Sequence, residues 1–188
     1  AAPPAAPVDG TIQRCMVIRT VDLFAAATGR ARGLGLNALP LTSLLCGESR
    51  DVGRTLASIA REVVLSGRPV AAPCALIATG ETAVSLRSEL CGEGGPNQEL
   101  AVGACLDLAL DDPIAVLAMD TDGTDGPTEI AGGLTDATTR LRAQLQGVNL
   151  RDCLRRHDSS RALRAAGDAV VTGPTGTNVN DLVVIVAL

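Results

Sequence analysis

The sequence predicts an α/β protein with a mixed rather than purely parallel β-sheet flanked by helices. Three observations carry that expectation. Short apolar runs alternate with amphipathic stretches through the first third of the chain. Two further runs, Cys74–Ala78 and Ala83–Leu86, are separated only by Thr79-Gly80-Glu81-Thr82, too short for a parallel crossover, so they read as an antiparallel hairpin. The chain closes on Val170-Val171, a polar loop and Leu182–Leu188, which reads as strand, loop, strand, with the loop at one edge of a sheet.

Each element has its own local signal. Residues 1–13 are Ala/Pro-rich without periodicity and read as a disordered leader, leaving one domain over residues 14–188. After the apolar run Cys15–Ile18, Thr20 suits a helix N-cap. Leu23, Phe24, Ala27, Ala31 and Leu34 then share one face, and Gly33 and Gly35 end the helix. Leu39–Leu45 reads as a strand. Glu48–Ser66 reads as a second helix with Val52, Leu56, Ile59, Ala60, Val63 and Val64 inward and Gly67 as its stop. Beyond the hairpin, a loop over residues 87–96 leads to a helix capped by Asn97, with Leu100, Ala101, Ala104, Cys105 and Leu108 on its buried face. Ile114–Met119 is a strand. Helices are expected near residues 136–146, 150–155 and 159–166, and no internal repeat is visible.

The composition narrows the function classes. At 188 residues with 46% hydrophobic residues the chain can bury a core. Phe24 is its one aromatic residue, so that core must be aliphatic. All sixteen basic residues are arginine and the net charge is −5, which argues against a nucleic-acid surface. The Arg151, Arg155, Arg156, Arg161, Arg164 group suits a solvated helix face. Six cysteines lack CxxC spacing and sit mostly in apolar runs, so a zinc site is not expected. No apolar run nears the ~20 residues that span a bilayer, and a cytoplasmic protein without a membrane partner is the natural expectation.

Candidate chemistry lies in three glycine-rich segments. Asp120-Thr121-Asp122-Gly123-Thr124-Asp125-Gly126-Pro127-Thr128 opens at the carboxyl end of a strand, where open α/β sheets bind ligands. Three close carboxylates repel unless a cation or donors compensate, so Mg²⁺ held partly through a substrate phosphate is a reasonable occupant of this loop. The same aspartates also suit turn and helix caps. An EF-hand is excluded, because Ala131 stands where the twelfth-position glutamate belongs. Gly92–Glu99 opens a helix and offers N–H groups to an anion. In Val170–Asp181, Gly173 and Gly176 permit positive φ, and Thr175, Thr177, Asn178 and Asn180 suit a phosphate or carboxylate, or a turn bonded to its own backbone. His157, beside Asp158, reads as a capping or surface residue rather than a general base.

In order, these loops resemble the MOFRL domain, the C-terminal part of glycerate 2-kinase, once called hydroxypyruvate reductase. The matching pieces are Gly80-Glu81-Thr82, Gly94-Gly95 with Asn97-Gln98-Glu99, Thr121-Asp122-Gly123 with Asp125–Thr128, and Thr172–Asp181, so the likeness runs from about residue 18 to 188. The resemblance implies ATP-dependent phosphoryl transfer to D-glycerate with Mg²⁺, in a cleft shared with a larger N-terminal Rossmann-like domain that these residues do not contain. It implies Asp122 and Asp125 as catalytic and metal residues, and Glu81, Asn97, Glu99, Thr175, Thr177, Asn178, Asn180 and Asp181 as substrate- or phosphate-binding residues. Pro96 replaces the family's arginine in Gly-Gly-Arg-Asn-Gln-Glu, His157 an asparagine and Ser160 an aromatic residue; Asp120 stands where glycine is frequent. A second expectation is therefore a non-catalytic binding module or inactive fragment of that family. A half-enzyme would expose an apolar face toward its other domain, whereas a self-sufficient module would bury it, for instance by forming a homodimer. An oxidoreductase is disfavoured, since no GxGxxG follows a strand with an acidic residue about twenty positions on.

Overall fold

The computed structural model describes residues 16–86 and 91–188; the expected leader lies outside them, as does part of the 87–96 loop. The elements are α1 (Thr20–Gly33), β1 (Asn37–Leu45), α2 (Ser49–Ser66), β2 (Cys74–Gly80), α3 (Pro96–Cys105) and β3 (Ile114–Asp120). They continue as β4 (Gly132–Asp136), α4 (Thr139–Leu145), α5 (Leu150–Arg155), α6 (Ser159–Ala166), β5 (Ala169–Val170) and β6 (Asp181–Ala187). The strands form one six-stranded mixed sheet in the order β1-β2-β6-β3-β4-β5. Only β1 and β2 pair in parallel; the other neighbours are antiparallel.

Alternation along the strands divides the sheet into two faces. Leu76, Ala78, Val116, Ala118, Val183 and Ile185 point to the face covered by α2 and α3, where Leu56, Ala60, Val63, Leu100 and Ala104 complete the main core. The helices approach closely because each brings a glycine to the crossing. A Cβ on Gly53 would lie 2.1 Å from the Leu100 carbonyl oxygen, and one on Gly103 would lie 2.5 Å from that of Arg50. A second cluster joins Val102 and Cys105 of α3 to α4, α5 and α6. On the opposite face α1 covers β2 through Phe24, Ala27 and Ala31 against Ala75 and Ile77. That cover is short. Along the cross-strand row Ile77, Val184, Leu117, Leu134, burial falls from complete at Ile77 to 51% exposure at Leu134.

Several expectations change here. The hairpin does not form: β2 lies between β1 and β6, so both its edges are taken, and the segment after Gly80 makes only an isolated bridge, Ala83 to Glu48. β5 and β6 are not neighbours either; β6 inserts between β2 and β3, while β5 pairs with β4 at the far edge. The loop between them thus runs from edge to middle. β4 is an unexpected strand; it ends at Asp136, and the helix expected from there begins at Thr139 as α4. Gly132 of β4 is required by contact, since a Cβ there would lie 1.9 Å from the Ala118 carbonyl oxygen. The N-cap of α1 is Arg19 rather than Thr20, and Leu34 is exposed at its end. α2 ends as expected, on Gly67 at φ 72. Among the described residues no helix is long and apolar enough to cross a membrane.

Candidate functional site

Antiparallel insertion of β6 builds the site. It sets Asp181 opposite Gly80, the end of β2, and opposite Asp120, the end of β3. The same rim receives the start of α3. Thr121 Oγ1 donates to the Asn180 carbonyl (2.9 Å) and accepts from the Val179 N–H (2.8 Å), while the Thr175 N–H donates to the Asp122 carbonyl (3.1 Å). These bonds zip the 120–128 loop to the 171–180 loop. Gly123, at φ 98, permits the contact, because a Cβ there would lie 2.1 Å from the Gly173 carbonyl oxygen.

The expected site residues take different positions on this rim. Asp125 is 2% exposed and spends both oxygens on α3. Its Oδ1 accepts from the Asn97 N–H (3.1 Å) and Nδ2 (3.2 Å), and its Oδ2 from the Gln98 N–H (2.9 Å). Asp125 therefore caps the helix from another loop. Asn97, expected as that cap, lies inside the first turn behind the N-cap Gly95. Gln98, part of the Asn97-Gln98-Glu99 motif but given no role by the sequence, fastens the same joint: Nε2 donates to Thr128 Oγ1 (3.1 Å) and Oε1 accepts from Ser160 Oγ (2.6 Å).

Asp122 is half-buried. Its Oδ1 accepts from the Thr124 N–H (2.8 Å) and hydroxyl (2.9 Å), whereas Oδ2 has one long contact, 3.5 Å, with Asn178 Nδ2. Asp181 is buried, and its Oδ1 accepts from Asn97 Nδ2 at 2.8 Å. Burial first, then the neighbouring charges of Asp120 and Asp125, raise the Asp181 pKa to about 7 against the opposing Asn97 hydrogen bond. Burial likewise pushes Asp125 upward, against its bonds to Gln98 and Asn97. Asn97 Oδ1 is buried without a hydrogen-bond partner among the described residues. Among those residues, too, no arginine pairs with Asp120, Asp122, Asp125 or Asp181, and no three His, Cys, Asp or Glu side chains could hold a metal ion by themselves.

Glu81, Thr175, Thr177 and Asn178 are exposed and Asn180 is half-buried. Gly173 and Gly176 adopt the expected positive φ, 68 and 77. Thr175 Oγ1 is used structurally, donating to the Thr121 carbonyl. Glu99 does not face the aspartates. It is buried against His157, with Oε1 2.7 Å from Nδ1. The expectation of a capping or surface histidine is thus corrected: His157 sits at φ 53 just beyond α5, and that turn carries its ring inward.

Fold and rim define the class: an α/β domain with a mixed sheet flanked by helices, its carboxyl-end loops drawn into one acid-rich rim. The chain belongs to the MOFRL family, whose match covers residues 74–181. It is 41% identical to glycerate 2-kinase of Pyrococcus horikoshii over 161 residues, which is 86% of this chain and 36% of that protein. It is 42% identical to D-glycerate 2-kinase of Thermotoga maritima over 158 residues, 84% of this chain and 37% of that one. The crystal structure of glycerate kinase from T. maritima superposes with a TM-score of 0.87 at 39% identity, covering 90% of this chain and 41% of the solved one. The chain therefore spans about two fifths of the relatives it matches.

Proposed function

We propose that this chain forms one wall of the active cleft of an ATP-dependent kinase that phosphorylates D-glycerate, the other wall being a Rossmann-like domain like that of its longer relatives. One observation carries the proposal: four aspartates and the unpartnered Asn97 Oδ1 converge on the rim with no arginine paired to them among the described residues. Such a cluster is electrostatically incomplete and calls for a cation. The half-covered sheet face ending at Leu134 adds support, since further polypeptide would bury it.

The residues present fit Mg²⁺ unequally. Mg²⁺ keeps several waters and takes one or two carboxylates plus substrate phosphate, and Asp122 Oδ2 has the room for that. Asp125 does not, with both oxygens committed to α3. Asp122 thus takes the metal role, while Asp125 positions α3 and with it Asn97. When bound, Mg²⁺ would neutralise charge developing on the transferred phosphoryl group. Thr177, Asn178 and Asn180 offer donors to an anion along the same rim, and Glu81 stands just beyond the end of β2. Near neutral pH Asp181 holds a proton part of the time, which a cation arriving at the cluster would displace.

The test is ADP release from ATP, Mg²⁺ and D-glycerate by the 188-residue chain, alone and mixed with a separately expressed N-terminal domain of a glycerate kinase. Turnover is expected in the mixture and should be lost in Asp122→Ala with the fold intact. No turnover from folded protein, and none restored by Pro96→Arg, would favour a non-catalytic module instead.

A further inference from the structure

The turn between α4 and α5 builds a pocket of its own. Gly147, at φ 72, reverses the chain after α4, and α5 follows at once with Asn149 as its N-cap. Arg140 and Gln144 lie one helical turn apart on α4 and so share a side of it. The turn brings Asn149 and Arg151 to the same cavity, of about 380 Å³. Its floor is apolar: Leu106, Val148 and Leu150 are at most 8% exposed and belong to the cluster that joins α3 to α4, α5 and α6. Leu106 directly follows the ten-residue α3, so the pocket lies a helix length, about 15 Å, from the acidic rim at the other end.

The charge around this floor has one sign. The lining contains no carboxylate, in a chain whose acids outnumber its bases by 21 to 16. Neither Arg140 nor Arg151 makes an ion pair or a side-chain hydrogen bond among the described residues. Arg142, the other arginine of α4, is by contrast held by Asp136 and Asp168. Asn149 spends its Oδ1 on the Arg151 and Asp152 N–H groups, which leaves Nδ2 free to donate elsewhere. The Gln144 amide also has no partner among the described residues. Two guanidinium groups around one pocket repel each other, and an anion between them relieves both.

We propose that this pocket binds an organic phosphomonoester, its phosphoryl oxygens taken by Arg140 and Arg151 with the Gln144 and Asn149 amides, and its apolar part resting on Leu106, Val148 and Leu150. A phosphomonoester carries close to two negative charges at neutral pH, which balances the two guanidinium groups, and the guanidinium fork matches phosphate oxygens in pairs. The apolar floor gives the organic part a place that a bare ion would leave empty. At a share of roughly 30 Å³ per water the cavity holds about a dozen waters, room for a ring and a phosphate. The site stands independently of the glycerate-kinase reading, since none of its residues belongs to the rim.

Phenyl phosphate titrated calorimetrically into the chain tests this, at neutral pH and physiological ionic strength and without divalent cations, so that the acidic rim offers a phosphate only repulsion. Saturable one-to-one binding is expected, at least tenfold tighter than that of inorganic phosphate, which lacks the ring, or of phenol, which lacks the charge. Arg140→Gln and Arg151→Gln should each weaken binding at least tenfold. Both side chains are exposed and unpaired, so the fold should survive either change. Arg32→Gln removes an exposed arginine of α1 that likewise lacks an ion pair but stands outside the pocket, and should leave binding unchanged. No saturable binding, inorganic phosphate binding as tightly as the ester, equal weakening by Arg32→Gln, or binding that survives both pocket substitutions would overturn the proposal.

Discussion

Replacing Asp181 by asparagine should make the protein more stable at neutral and alkaline pH, though the change removes a charge from a hydrogen bond. In the folded chain burial and the charges of Asp120 and Asp125 hold the Asp181 pKa at about 7, whereas an aspartate in the unfolded chain ionises near ~3.9. Between these values the folded state keeps a proton that the unfolded state has released. Stability from this group is therefore fully present below pH ~3.9 and is lost as pH rises through about 7. The gap is about three pH units at ~1.4 kcal/mol each, or about 4 kcal/mol. The asparagine side chain does not titrate, and its amide oxygen can still accept from Asn97 Nδ2. Urea-unfolding free energies of both proteins from pH 4 to 9 should diverge by about that amount, the variant gaining as pH rises. Parallel curves would show that Asp181 is not held protonated by its surroundings, and the incomplete charge balance inferred for the rim would fall with it.

Other substitutions test separate parts of the structure. Gly103→Ala would gain ~1 kcal/mol from helix propensity, but its Cβ meets the Arg50 carbonyl oxygen at 2.5 Å, and overpacking costs about 1–3 kcal/mol. A net loss of about 1 kcal/mol in urea unfolding is expected, and any gain would contradict the close helix crossing. Asp125→Ala strands the Asn97 and Gln98 donors and should cost about 3 kcal/mol in the same assay; a loss under ~0.5 kcal/mol would mean that solvent caps the helix equally well. Leu134→Ser, on the half-covered face, should move stability by less than ~0.5 kcal/mol yet weaken association with an added N-terminal domain in calorimetric titration. A stability loss without any effect on association would place the missing cover elsewhere.

Local signals reached the elements and loops but not the order of the strands. α2 was legible because its apolar face repeats at helical spacing and Gly67 stops it. β4 was not, because Gly132 opposes strand propensity while satisfying a backbone contact with Ala118 that no local pattern encodes. The hairpin failed for a related reason: turn length permitted it, but β6, far along the chain, already holds that edge of β2. In the site, the Asp120–Thr128 and Thr172–Asp181 loops stood out by composition, yet the Thr121 hydroxyl that joins them is an ordinary threonine in sequence. His157 was misplaced because its partner Glu99 lies 58 residues away. A lone histidine beside an aspartate gives no sign of such a contact.

The capping of α3 bears on where an anion can bind. A glycine-rich loop opening a helix ordinarily offers free amides to a phosphate, but here the Asn97 and Gln98 amides already bond the Asp125 carboxylate. The helix start is thus closed to a ligand anion, and its positive end helps to hold an internal carboxylate instead. A phosphate on this rim is left with the Thr177–Asn180 stretch, next to Asp120, Asp122 and Asp181, which repel it. The chain has no lysine, and among its described residues no arginine pairs with these acids. If the chain acts as proposed, the charge that reconciles phosphate with carboxylates would be supplied by a metal ion arriving with the nucleotide or by a cationic side chain of another domain. The acids that make the rim hostile to a bare anion are the groups that would hold such a cation in place.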